Sequence, residues 1–227
     1  MNFSGKVSLK KVLFICGILS SLLYYGADAL AAILYEGYSY TDQTISELSA
    51  IGAPTAPLLS ITGTVYLLLV IAFGLGVWKS SGKNRALRIT AILLIIFGLV
   101  GFLWPFGPMH QREVLAAGGG TFSDTLHLII GAIDSVLFLL MIGVGSFAFG
   151  KRFRLYSIAT IIVLLVFGAR MSMDVPKVGA NEPTPWLGVI ERINIFGAML
   201  WILILAVVLL RAEKNTTEKT LRKNMAK

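Results

Sequence analysis

Apolar residues along this chain gather into six runs of about 20, each long enough to cross roughly 30 Å of hydrocarbon at about 1.5 Å per residue. The runs extend over Val12 to Leu34, Ala56 to Trp78, Leu87 to Phe106, Thr125 to Phe149, Leu155 to Met171 and Val189 to Leu210. Five connections separate them, and two kinds strictly alternate. Lys79 to Leu87 and Gly150 to Arg154 are short and basic, whereas Tyr35 to Thr55, Gly107 to Asp124 and Ser172 to Gly188 are longer and carry Pro, Gly, acids and aromatics. The pattern predicts an all-α fold: a polytopic transmembrane bundle of six helices forming a single domain over 1–227, with a polar cytoplasmic tail over 212–227.

Composition agrees and adds an orientation. Residues of the AVILMFWYC set make up 56% of 227, charged residues 14%, and the mean hydropathy is +0.79, which is more apolar surface than a soluble domain of this length can hide. Lys and Arg are retained on the cytoplasmic side, while Asp and Glu have little say. Lys6, Lys10, Lys11, Lys79, Lys83, Arg85, Arg88, Lys151, Arg152, Arg154, Arg211, Lys214, Lys219, Arg222, Lys223 and Lys227 fall on one face; Arg112, Arg170, Lys177 and Arg192 fall near the other. A multi-pass protein of the cell membrane with both termini cytoplasmic is expected, its immediate partners being membrane lipids. The net charge of +8 sits in short segments between apolar runs rather than on a basic face with readout residues, which argues against nucleic acid. Cys16 is the single cysteine, so no intrachain disulfide and no Cys-based metal motif is available. A cleaved signal peptide is the competing reading of the first run, with Lys10 and Lys11 before it and small residues at Ala27, Ala29, Ala31 and Ala32. That run is long for a signal, and its removal leaves five spans.

Ionisable side chains cost a few kcal/mol inside a bilayer, so those that survive there face the bundle interior and have partners. Asp28 lies in the outer half of the first span; Asp124, His127 and Asp134 lie on the fourth; Arg170 closes the fifth, and Glu191 and Arg192 open the sixth. Asp124, His127, Gly131 and Asp134 are spaced at three, four and three residues and share one helical stripe, which is expected to face inward, with Gly131 admitting a close neighbour. In a purely structural role Ser123 and Asp124 cap this helix, Asp134 pairs with a hydroxyl or an arginine, and Arg170 pairs with Glu191 or Asp28 across helices. In a functional role Arg170 and Arg192 hold a phosphate or carboxylate in forked geometry.

Pro105, Gly107 and Pro108 end the third span sharply and deliver His110 and Arg112 to the outer surface. His110 and His127 are the only histidines, and with Asp124 or Glu191 they offer the residue types of a three-ligand site for a divalent metal, although the spacing is no known ligand signature. A haem held by both histidines is disfavoured by the bend between them. The sequence itself requires no cofactor. Ser46, in the first outer loop, has with His127 and Asp124 the types of a nucleophile, base and orienting acid, without a G-x-S-x-G elbow around the serine.

Three segments carry a resemblance: TISELSAIGAP (Thr44 to Pro54), GFLWPFGPMH (Gly101 to His110) and SDTLH (Ser123 to His127). In these the chain resembles the bacterial DUF998 family of six-span membrane proteins, and more distantly the Frag1/DRAM/Sfk1 group, over most of its length. The resemblance implies the six-span topology and points to Ser46, His110 and His127 as positions that matter, without supplying a reaction. The expected function is binding of a lipid or small hydrophobic solute in an outer-leaflet polar cavity lined by His110, Arg112, Asp28, Asp134, Arg170, Glu191 and Arg192. The alternatives are a membrane-embedded hydrolase or metalloenzyme using the outer His/Asp cluster, and a small transporter coupled through Asp134.

Overall fold

The computed structural model describes residues 8–225, with side chains over 8–215. Among these the chain is all-α: α1 Leu9–Leu34, α2 Ile45–Leu48, α3 Ala56–Ser80, α4 Arg85–Val100, a 3₁₀ segment Gly101–Phe106, α5 Arg112–Ala116, α6 Phe122–Gly145, α7 Lys151–Ser172, α8 Val175–Gly179 and α9 Leu187–Met225. Six stretches are long and apolar enough to cross a bilayer: Leu9–Leu34, Ala56–Ser80, Arg85–Phe106, Phe122–Gly145, Lys151–Gly179 and Leu187–Asn215. The expected spans match these within a few residues, with instructive differences. The third run is apolar from Ala91 onward, yet its end tightens to 3₁₀ because Pro105 removes a backbone donor there. The fourth helix stops at Gly145, and α9 does not fray after Leu210 but stays helical through Met225.

The long helices close into a ring in which α1 packs on α3 and α9, α3 on α4, α4 on α6, α6 on α7, and α7 on α9. Phe14, Phe73, Leu94, Met141, Ile142 and Trp201 fill its centre, where the Trp201 indole N–H donates to the Ser157 hydroxyl at 2.8 Å. Leucine, isoleucine and valine cover the outside, as at Ile61 and Val166, which only a nonpolar solvent satisfies. One end carries both described termini, drawn together by the Ser8 hydroxyl donating to Glu213. There the Asn84 side chain caps α4 and donates to the Ala148 carbonyl, tying the two short connections to each other. The three short helices α2, α5 and α8 form a polar cap on the opposite end.

Candidate functional site

The cap is organised around α2, a single turn that carries Ser46. Thr44 and Glu47 form a reciprocal capping box: the Glu47 N–H donates to the Thr44 hydroxyl, and the Thr44 N–H donates to the Glu47 carboxylate at 2.7 Å. One turn is too short to hold itself. Three neighbours hold it instead. The Ile45 N–H donates to Glu191 of α9. Arg112 grips both oxygens of Glu47, with Nη2 at 2.8 Å, and its other nitrogen reaches Thr184 Oγ1 at 2.8 Å. The Thr55 hydroxyl closes the far end on the Leu48 carbonyl at 2.6 Å. Burial pushes the Glu47 carboxyl up, but the Arg112 guanidinium and the Thr44 donors outweigh it and hold the group below the usual range.

The loop leading into α2 is fixed by Arg192, which is 3% exposed. Its fork meets Asp28 of α1 with both contacts at 2.9 Å, donates to the Tyr38 hydroxyl at 2.8 Å and to the Tyr40 carbonyl at 2.9 Å, and stacks 3.6 Å over the Tyr40 ring. Gly188, one turn earlier on α9, lets the loop lie against the helix, since a Cβ there would come within 2.3 Å of the Gln43 carbonyl oxygen and 2.5 Å of that of Tyr40.

Facing α2 is an extended strap, Gly107 to His110, pinned at every residue. The Gly107 carbonyl accepts from His127 Nδ1 at 2.9 Å and the Pro108 carbonyl from the Ser123 hydroxyl at 2.8 Å. The Met109 carbonyl accepts from the Ile51 N–H at 2.8 Å, and the His110 N–H donates to Asp124 at 2.7 Å. The strap thereby locks the loop after α2 to the first turns of α6.

His127 is the meeting point. Its Nδ1 faces a carbonyl, which only accepts, so Nδ1 carries the proton and Nε2 presents a lone pair. Ser46 Oγ stands 3.0 Å from that Nε2 and donates its proton to it. Trp104 of the 3₁₀ segment packs edge-on against the imidazole at 4.9 Å between ring centres, and its indole N–H donates to Asp134 at 3.0 Å, so the ring that walls the histidine is itself anchored. A serine hydroxyl on an oriented imidazole base is the arrangement that makes an alcohol nucleophilic.

Several expectations are corrected by this geometry. Asp124 makes no hydrogen bond to His127; it caps α6 together with Thr121, which takes the capping position expected of Ser123, and it holds His110 Nδ1 at 2.9 Å. Orientation of the base falls to the Gly107 carbonyl. The two histidines thus turn to different partners, and no group of three or more His, Cys, Asp or Glu side chains placed for a metal occurs among the described residues. Arg170 pairs with Asp174, one turn on in its own segment, rather than with Glu191 or Asp28, and Asp28 belongs to Arg192. Asp134 meets an indole rather than a hydroxyl or an arginine, and Gly131 faces the Trp104 ring rather than a closely approaching helix. Ser46 and His127 are brought together; Arg112, Asp28, Glu191 and Arg192 form the scaffold that holds α2. Sequence reasoning missed Thr44, Glu47, Trp104, Gly107 and Thr184. The T-x-x-E spacing of Thr44 and Glu47 is a readable capping box, whereas a backbone carbonyl at Gly107 leaves no residue-type signal.

A Cβ at Gly107 would fall 3.1 Å from the His127 backbone nitrogen and 3.2 Å from Leu126 and Ile130, tighter than ordinary contact, so a side chain there would press the strap off α6. Gly107→Ala is expected to destabilise the protein by about 1–3 kcal/mol, read as a lower thermal unfolding midpoint in detergent, and to loosen the hold on His127.

No curated protein and no solved structure matches this chain at a significant level. A family model does: the one described as "Protein of unknown function (DUF998)" matches residues 18–208, and the chain belongs to that family.

Proposed function

We propose that this protein is a membrane-embedded serine hydrolase of carboxylic esters, with Ser46 as nucleophile and His127 as general base. The observation that carries the reading is the 3.0 Å contact between Ser46 Oγ and an imidazole nitrogen whose partner nitrogen is held by a carbonyl. Ser46 Oγ attacks the acyl carbon as its proton passes to His127 Nε2; the tetrahedral intermediate then breaks the bond to the alkoxy oxygen, which leaves with that proton as an alcohol. Water, deprotonated by the same nitrogen, cleaves the acyl-serine and restores the hydroxyl. A pure binding role has less support, because the three arginines that a binding cavity would present, Arg112, Arg170 and Arg192, are spent on Glu47, Asp174 and Asp28. The distribution of lysine and arginine supports an extracytoplasmic position for the cap, and with it for the dyad.

Treatment with an alkyl fluorophosphonate tests the assignment. The wild-type protein is expected to gain one phosphonyl adduct, located on Ser46 by peptide mass spectrometry, and Ser46→Ala to gain none. Absence of the adduct from folded wild-type protein, or its persistence in Ser46→Ala, would overturn the reading.

A further inference from the structure

The depth of the dyad in the bilayer bears on what it acts upon. Helix α6 has 24 residues, about 36 Å, so when set upright and centred it projects roughly 3 Å at each end beyond a hydrocarbon layer of about 30 Å. His127 lies five residues from the capped end of α6, about 7–8 Å along the axis, which puts its backbone roughly 4–5 Å inside the hydrocarbon boundary. Side chains on a helix lean toward its N-terminus, so the imidazole reaches back up to the boundary itself. That is the level at which the ester carbonyls of a glycerolipid lie, between headgroup and acyl chain.

The surroundings fit the same depth. Phe106, beside the strap, is 69% exposed, and Phe122, at the start of α6, is 74% exposed. Together with the exposed Leu103 and Leu128 they give the chain beside the strap and the first turns of α6 an apolar surface that runs from the headgroup boundary into the hydrocarbon. An open groove of about 420 Å³, lined by polar residues including Asp42, Gln43, Arg112, Glu113 and Thr184, has neither Ser46 nor His127 in its wall. Ser46 and Glu47 are consecutive on one turn and take different partners, the buried carboxylate Arg112, which lines the groove, and the hydroxyl the imidazole of His127.

We infer that the substrate is an acyl ester of a membrane lipid, presented to Ser46 sideways from the cap-side leaflet over Phe106 and Phe122. This rests on the hydrolase reading and adds the substrate class. The new bond joins Ser46 Oγ to the lipid acyl carbon, the broken one is that carbon's bond to the glycerol oxygen, and the proton taken by His127 leaves on the lysolipid hydroxyl. Water then releases the fatty acid and regenerates the serine.

Reconstitution of the full chain into vesicles of phosphatidylethanolamine and phosphatidylglycerol separates the possibilities. Lysolipid is measured by mass spectrometry, 4-nitrophenyl acetate hydrolysis is followed in the same vesicles, and Ser46→Ala serves as the blank. The expected result is lysolipid production about tenfold or more above Ser46→Ala. Cleavage of 4-nitrophenyl acetate and fluorophosphonate labelling of Ser46, without lysolipid above the blank, would overturn the lipid assignment and leave the hydrolase standing. Failure of all three, in protein that retains its helical circular dichroism, would remove both.

Discussion

His127→Ala is expected to slow phosphonylation of Ser46 by about 10²- to 10⁴-fold, the range a positioned general base supplies. At neutral pH a serine hydroxyl is a weak nucleophile, and in this protein one group accepts its proton: the Nε2 lone pair 3.0 Å away. A companion variant discriminates between two ways of orienting the base. If Asp124 held His127, as residue types alone suggest, Asp124→Asn would remove a charged partner and cost nearly as much as losing the base. Because the Gly107 carbonyl does this work and Asp124 instead grips the backbone and ring of His110, Asp124→Asn is expected to change the rate by no more than about threefold. Stopped-time labelling quantified on intact protein distinguishes these outcomes, and a collapse in Asp124→Asn equal to that in His127→Ala would contradict the geometry.

The largest stability effect is expected at Arg192. Its guanidinium and the Asp28 carboxylate are 3% and 1% exposed, and the arginine also supplies donors to Tyr38 and to the loop carbonyls before α2. Arg192→Ala leaves a buried carboxylate without its counterion, a change that costs about 3–5 kcal/mol in comparable buried pairs. The loss is expected as a matching fall in unfolding free energy in detergent micelles, together with weaker labelling of Ser46 because the loop that carries it is released. Replacing both partners, Arg192→Met with Asp28→Leu, is expected to destabilise less than Arg192→Ala alone, since no unpaired charge remains buried. Additive losses would show that the two groups are not coupled as the 2.9 Å contacts imply.

Length and hydrophobicity made the six spans legible, because an apolar run of about 20 residues has few alternatives. Finer features escaped for identifiable reasons. The third run has no polar break from Ala91 to Phe106, so the switch to 3₁₀ at Gly101 registers only through Pro105. Helix α2 spans four residues inside a polar loop and has no hydrophobic period to betray it, though its capping box was there to be read. Ser46 and His127 lie 81 positions apart; their residue types allowed the pairing, and packing decided it. Arg170 found Asp174 because a partner one helical turn away costs little chain ordering, whereas Asp28 and Arg192 are joined by the packing of α1 on α9, which spacing along the chain does not encode.

The attachment of α2 also sets an order of events during synthesis. The serine emerges early, in the first loop, but the carboxylate that receives the Ile45 N–H belongs to Glu191, 146 positions later, and the arginine that fixes the preceding loop comes immediately after it. Until the final span has entered the membrane and docked on the first, the turn bearing Ser46 lacks the Glu191 and Arg192 anchors and is held by Arg112 and Thr55 alone. On the hydrolase proposal, a nascent chain would be chemically silent toward the bilayer into which it is being inserted, with full reactivity expected only on completed assembly.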